Sequence, residues 1–538
     1  MDTEDAFPKL YLFLPLLIGM LLYMVGITST DLWTPDEPRY GEVAREMVER
    51  GNYIQPYLNG MPYTEKPPLF FWTVVAGTKL FGGVNQLAVR LPSALSALGI
   101  IALLMIFVNE IFDRKTAFLS AIFLITSPEF FWAARTGLID MLFTFLITLS
   151  LMSFYRWYER DRGGYLVVFY ACLVLATLAK GPVGIVLPIM VALCFLLFRK
   201  EWSRIKRMRL YIGLPITLAV VLAWYIPATQ QSVGYDIGPL VQRQIVGRVF
   251  IPLVHGVSIY YCPFYQLVSL AFGMAPWSFL MPWAVVFAYR LRRDAPLFFL
   301  LCWGGGILTF FTLIASKREL YILSMYPAAT TLIALWITRT AQSFSQKPIQ
   351  ILSACCGAVI MVIVPLATVI FKQKYPDMLL CIDWDTTALL AGAGAVVAST
   401  LFFCKKSEYI IASVVGSLLV FYVTLSIGYL PGISKYKSPR NICNVYNHVK
   451  APVSEIAMFG NMRIEYVFYA KSCIKTVKNR KDLKHFFDSN RRVFCFAPEQ
   501  HYERVLKNAD FPIYIVTRKN VSSIVMLLLC NQKVASPL

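Results

Sequence analysis

About thirteen stretches of roughly 16–25 apolar residues, divided by short polar loops, decide what this chain can become. A helix of about 20 residues matches the thickness of a bilayer's hydrocarbon core. A helix also satisfies its own backbone groups where no water is present to do so. The runs lie near 8–28, 91–112, 116–134, 138–157, 165–179, 182–198, 210–228, 263–289, 295–315, 320–338, 349–370, 387–404 and 409–430. Segment 1–9 is acidic and lacks the basic flank of a signal peptide, so the first run is read as an uncleaved span. The fold class is therefore an α-helical polytopic membrane protein. With 57% hydrophobic and 15% charged residues, the chain is neither disordered nor collagen-like nor a small disulfide scaffold. Its twelve cysteines form no CxxC pair, which argues against a zinc ribbon or a thioredoxin-like motif.

The net charge of +20 becomes informative once it is located. Arg114 and Lys115, Arg156 to Arg162, Arg199 to Arg209, Arg290 to Arg293, Arg339 with Lys347, and Lys405 with Lys406 fall in alternate short loops. By the positive-inside rule those loops are cytoplasmic, and loops 31–90, 135–137, 229–262, 316–319 and 371–386 face outward. The division is a membrane part, 1–431, including outward loop 31–90, followed by a polar outward tail, 432–538. Short β-like runs at Ile456–Phe459, Arg492–Phe496, Ile513–Thr517 and Ile524–Leu529 alternate with helical stretches Lys481–Asp488 and Glu499–Asn508. That alternation predicts a small α/β domain, with Ile524–Leu529 as an alternative membrane-contacting stretch. The tail's 18 bases against 7 acids suit anionic lipid head groups or glycan. An outward location and the lack of a recognition motif leave no nucleic-acid partner.

The chemistry-bearing residues collect on the outward face. Asp36 and Glu37 stand between two prolines and open a helix whose Val43, Met47 and Val48 suit a membrane surface. The same loop closes on Tyr63, Glu65 and Lys66 ahead of an aromatic helix. Asp140 begins an otherwise apolar span, where an ionised acid is costly and commonly functional, although helix capping also accounts for it. Lys180 sits in Ala179-Lys180-Gly181-Pro182, where glycine and proline let a backbone approach a ligand, although snorkelling also explains it. The Ser316–Tyr321 turn places Lys317 and Arg318 outward, against the charge trend, as an anion site would. His255 with Glu65 offers two ligands for a divalent ion. A coupled transporter places its ionisable groups at midplane. An enzyme acting on a lipid-borne phosphate places them at the interface, as here.

Five segments resemble one family: Trp33-Thr-Pro-Asp36-Glu37-Pro-Arg39-Tyr40, Glu65-Lys66-Pro67-Pro68, Arg135-Thr-Gly-Leu-Ile-Asp140, Ala179-Lys180-Gly181-Pro182 and Lys317-Arg318-Glu319-Leu320-Tyr321. It is the bacterial GT-C glycosyltransferases of the protein O-mannosyltransferase and lipid A aminoarabinose transferase type. The resemblance implies a GT-C fold with about thirteen spans in the inner membrane. It also implies a polyprenyl-phosphate-linked sugar as donor and an envelope glycoconjugate or a protein as acceptor. On this numbering it makes Asp36 the acid at the reaction centre and Asp140 its positioning partner. Lys66, Lys180 and Arg39 would hold donor phosphate, and Glu37, Tyr40, Tyr63, Lys317 and Tyr321 would shape the pocket. Glu65 and His255 match where some relatives hold a divalent ion; no other cofactor is implied. The segment after His255 lacks a basic residue that close lipid A transferases carry, with Arg243 or Arg248 as substitutes. Glycosyl transfer to lipid A is the first reading, protein O-glycosylation the second, and a lipid-linked sugar flippase the third.

Overall fold

The structure is a computed structural model that describes residues 13–231, 264–340, 407–507 and 509–534. Among them, seven helices are long and apolar enough to cross a membrane, or nine if two bent pairs each count as one span. The runs expected at 349–370 and 387–404 lie outside the described residues, as does His255.

After helices α1 (Leu14–Met24), α2 (Asp36–Arg50), α3 (Leu69–Phe81) and α4 (Gln86–Ile111), the expected span at 116–134 is two helices, α5 (Arg114–Ile125) and α6 (Pro128–Arg135), bent by 68°. Pro128 takes the first helical position of α6, where its missing N–H costs nothing, and Thr126 and Ser127 turn their hydroxyls back onto Ile122 and Phe123. The run at 263–289 is likewise broken, by 116° between Tyr265–Gly273 and Trp277–Arg290. These breaks end both segments near the site rather than carrying them straight through the bundle.

Helix α7 (Ile139–Arg160) and helix α8 (Gly163–Lys180) pack antiparallel through a two-residue turn. The ascent from Asp140 and the return to Lys180 are of similar length at about 1.5 Å per residue, so the two residues arrive side by side. Gly181, at φ +88°, ends α8, and helix α9 (Val183–Phe198) returns immediately. A Cβ on Gly184 would stand 2.5 Å from the α8 backbone at Ala176 and Thr177. This glycine therefore serves helix–helix approach.

Helix α2 (Asp36–Arg50) departs from its expected role on the membrane surface. Val43 and Met47 are fully buried and only Val48 is exposed. The buried face packs on helix α3 (Leu69–Phe81), while Gly41 lies under Phe468 of the tail helix Ile464–Ala470. The apolar stripe was legible, but its partner is protein rather than lipid.

The last described span runs from Tyr409 to Lys437, beyond the expected boundary at 431. The first outward loop holds the short hairpin β1 (Tyr57–Leu58) and β2 (Met61–Pro62), and the tail forms one five-stranded sheet in the order β4 (Ile474–Val477), β3 (Glu455–Phe459), β5 (Val493–Pro498), β7 (Ile524–Cys530), β6 (Tyr514–Val521). Strands β3, β4 and β5 are parallel, and β6 and β7 add an antiparallel hairpin. The stretch with a membrane alternative is thus an inner strand, with Leu527, Leu528 and Leu529 buried. The tail cysteines Cys443, Cys473, Cys495 and Cys530 are all free.

The tail is pinned to the first outward loop. Arg440 pairs with Asp31 at 2.8 Å, Ser434 Oγ accepts from the Asp31 N–H at 2.7 Å, and Tyr469 Oη accepts from the Leu32 N–H at 2.8 Å. The Asn59 amide takes both backbone groups of Ile474, at 2.8 and 2.9 Å, standing in for a neighbour at the edge of β4.

Candidate active site

Asp36 and Glu37 are adjacent in the first turn of α2, so their side chains diverge by about 100°. Glu37 turns inward. Its carboxylate forks onto Arg90, with Nε–Oε1 at 2.7 Å and Nη2–Oε2 at 2.8 Å. The same oxygens accept the N–H groups of Gly137 and Trp33, each at 2.7 Å. Arg90 in turn donates to the carbonyls of Ile27, Thr30 and Asp31 at 2.6–3.0 Å. Four segments are thereby fastened to one buried ion pair. Glu37, expected in the pocket, is a tie beneath it, and Arg90 is a residue the motif reading missed.

Asp36 turns the other way. Its Oδ2 is 2.9 Å from Arg318 Nη2, and its Oδ1 is 3.7 Å from Arg39 Nη1. Arg39 also reaches Glu65 at 3.8 Å. Burial opposes the charge on Arg318, but Asp36 and Asp140 beside it raise its pKa above the ordinary arginine value. Burial likewise opposes Arg39, and Tyr63, Asp36 and Glu65 outweigh it. Tyr40 and Tyr63 are buried against Phe70 and Phe71 of α3. Burial, with Asp36 next for Tyr40 and Glu65 next for Tyr63, pushes both phenols up, so each stays protonated at neutral pH.

Lys180 Nζ lies 2.5 Å from Asp140 Oδ1 and stands over the rings of Tyr321 and Phe143 at 4.8 and 4.9 Å. Lys66 and Arg318 are close enough to act on Asp140 electrostatically. The two adjacent bases of the Ser316–Tyr321 turn separate in role. Lys317, expected in the pocket, donates to the carbonyls of Thr312 and Ile314 at 2.6 and 3.0 Å, at the end of helix Ala295–Leu313. Arg318 is the one that faces Asp36. The signal for this turn was its charge against the topology trend, but nothing in the letters distinguishes the two neighbours.

A cavity of about 490 Å³ adjoins the site, lined by Glu129, Trp132, Phe272, Glu319, Phe421 and Tyr422 among others. Glu319 accepts from Tyr265 Oη at 3.1 Å, and Glu129 lies within electrostatic reach of Asp140 and Glu319. Glu129 went unnoticed in the sequence because it sits alone inside an apolar run.

For the divalent ion, His255 lies outside the described residues. Glu65 has a cation, Arg39, as neighbour, and among the described residues no group of three His, Cys, Asp or Glu could hold a metal.

Residues 65–226 match a family described as Dolichyl-phosphate-mannose-protein mannosyltransferase. An uncharacterized protein of Aquifex aeolicus is 32% identical over 367 residues, 66% of this chain and 69% of that protein. The undecaprenyl phosphate-alpha-4-amino-4-deoxy-L-arabinose arabinosyl transferase of Yersinia pestis is 25% identical over 97% of this chain and 93% of its own length. Among solved structures, ArnT from Cupriavidus metallidurans bound to undecaprenyl phosphate superposes with a TM-score of 0.80 at 20% identity, covering 98% of this chain and 99% of that one.

Proposed function

Because this chain belongs to the GT-C membrane glycosyltransferases of the protein O-mannosyltransferase and lipid A aminoarabinose transferase type, we propose that it moves a sugar from undecaprenyl phosphate to a lipid A-type acceptor. It is an integral inner-membrane enzyme using a polyprenyl-phosphate sugar donor. Transfer takes place at the periplasmic face, where the sparse outward charges collect.

The observation that carries this reading is the meeting of Asp36, Arg39, Asp140, Lys180 and Arg318 at one end of the bundle. Lys66, Lys180 and Arg318 take the donor phosphate. An acceptor oxygen attacks the anomeric carbon and forms the new C–O bond. The old bond to phosphate breaks, the phosphate leaves with the electron pair, and configuration inverts. The bases are held in place by Asp36, Asp140 and ring faces, so they meet charge developing on the leaving oxygen with little reorganisation. When phosphate draws Arg318 away, Asp36 is released toward the acceptor. With a hydroxyl acceptor it takes the proton, and with a phosphate acceptor it orients the groups.

The match to a protein mannosyltransferase pattern over 65–226 supports a second reading, a Ser or Thr hydroxyl as acceptor. Mass spectrometry of lipid A and envelope glycoproteins, with and without the protein, separates the two by which conjugate gains mass. Asp36→Asn in folded, purified protein is expected to lower transfer, most strongly to a hydroxyl acceptor. Intact transfer by that variant overturns the mechanism, and donor moved across vesicles without a glycosylated product overturns the enzyme reading.

A further inference from the structure

A second concave site lies at the far end of the bundle. Helices α8 and α11 (Leu210–Gln230) flank a groove of about 580 Å³ there. Its walls are Leu166, Val167 and Val174 from α8 and Ile212 and Ile216 from α11, with Trp157 beneath. Lys180 is 17 residues along α8 from Gly163 at the groove's mouth, about 25 Å, and six from Val174 at its inner end, about 9 Å, at 1.5 Å per residue. The mouth is thus at the opposite end of α8 from the reaction centre, and Lys180 is not among the lining residues. Only 11% of the apolar window of helical run Trp202–Gln230 is buried among the described residues, so lipid has access from the side.

The groove's mouth is charged. Asp161, Arg207 and Arg209 line it, with Asp161 2.8 Å from Arg207 and 3.5 Å from Arg204. Segment 199–209 carries six bases against one acid, Glu201. No carboxylate among the described residues pairs with Arg209. Beside them the short helix α10 (Trp202–Arg207) exposes Trp202 by 63%, as an interfacial anchor does.

The geometry points to a binding site for an anionic diacyl phospholipid, its phosphate at Arg207 and Arg209 and its acyl chain between α8 and α11. Aliphatic walls along two membrane helices accept a hydrocarbon chain. An unbalanced basic rim at the bilayer surface selects a negative head group over a zwitterionic one. Gly213 closes the helix contact beside the groove, since a Cβ there would stand 2.1 Å from the Tyr170 ring. Tyr170 in turn donates to the Met208 carbonyl at 2.8 Å, so the walls hold their spacing without a ligand.

The test uses the full chain in phosphatidylcholine vesicles, with increasing fractions of brominated phosphatidylglycerol or brominated phosphatidylcholine. Trp157 fluorescence is isolated as the difference between the natural protein and Trp157→Phe. Quenching is expected at a mole fraction lower by on the order of tenfold for brominated phosphatidylglycerol. The preference is expected to vanish in Arg207→Gln/Arg209→Gln. Both arginines are exposed, so that double variant folds. Native mass spectrometry counting retained phosphatidylglycerol provides a second measure should Trp157→Phe fold poorly. Equal quenching by the two lipids, or an unchanged lipid count in the double variant, overturns the proposal. Relief of quenching by equimolar undecaprenyl phosphate also overturns it, by assigning the groove to the donor.

Discussion

Replacing Arg90 with leucine removes one half of the most deeply buried ion pair near the site. The side chains of Arg90 and Glu37 are 3% and 1% exposed, and their two contacts are 2.7 and 2.8 Å. Removing one partner of a buried pair costs about 3–5 kcal/mol, because the other charge is left without compensation. In Arg90→Leu, Glu37 keeps only the N–H groups of Trp33 and Gly137, and three carbonyls lose their donor. At about 2.1 cal/mol/K per residue, 538 residues give an unfolding entropy near 1.1 kcal/mol/K. The expected fall in Tm is therefore about 3–4 °C. Size-exclusion chromatography after stepwise heating in detergent measures it, with scan rate held fixed because such unfolding is commonly irreversible. Glu37→Leu/Arg90→Leu removes both charges and is expected to recover at least half of the loss, leaving only backbone groups unpaired. A single variant within 1 °C of the natural protein refutes the reasoning. So does a double variant that loses as much as the two single variants together.

Arg318→Gln is expected to raise the KM for donor by about tenfold or more, the scale of a charged hydrogen bond. Lys317→Met should leave KM unchanged and lower thermal stability by about 1–2 kcal/mol through the lost contacts at the helix end. Steady-state kinetics on both variants tests the pair, and the reverse pattern would exchange their roles. Gly184→Ala forces α9 away from the α8 backbone and is expected to cost about 1–3 kcal/mol, read as a lower Tm. Asp510, between Lys484 and Arg480, has its pKa lowered to about 2, first by its bonds to those two bases. Its unfolded value is higher, so its contribution is present above about pH 4 and is lost as pH falls through about 2. Asp510→Asn should remove that part of the acid dependence in a tail-reporting circular dichroism titration.

Much of this architecture is legible in the letters because bilayer thickness and helical rise leave little freedom. What escaped is decided by neighbours. The apolar stripe of α2 says that Val43 and Met47 are covered, but not whether lipid or the tail covers them. Pro128 marks a break only if α5 ends before it, and proline is tolerated at a first helical turn as well as at a kink. Strand β4, Ile474–Val477, is only four residues long with lysine and threonine at its centre, so it stands out only once β3 pairs with it. Glu37 and Asp36 carry one chemistry in adjacent positions, and Lys317 and Arg318 do too. Which member faces the site depends on the rotation of a short turn against a distant element. The outward clustering of charge was visible; its pairing was not.

That pairing bears on how the site tells acceptors apart. Arg39, Lys66, Lys180 and Arg318 face Asp36, Glu65 and Asp140, four cations against three carboxylates. The surplus of one positive charge matches the single negative charge of a phosphodiester donor. After the sugar departs, the monoester left behind carries about −1.5 to −2 at neutral pH. On the proposed mechanism, a hydroxyl acceptor gives its proton to Asp36 as the bond breaks, so the surplus would rise by one as the phosphate gains its second charge. Proton transfer and leaving-group charge would then be coupled through one carboxylate. With a phosphate acceptor, a monoester becomes a diester while the donor does the opposite. Total charge is then unchanged, and Asp36 has no proton to take. Loss of Asp36's basicity with its shape preserved, as in Asp36→Asn, should therefore weigh more heavily on transfer to a hydroxyl than on transfer to a phosphate.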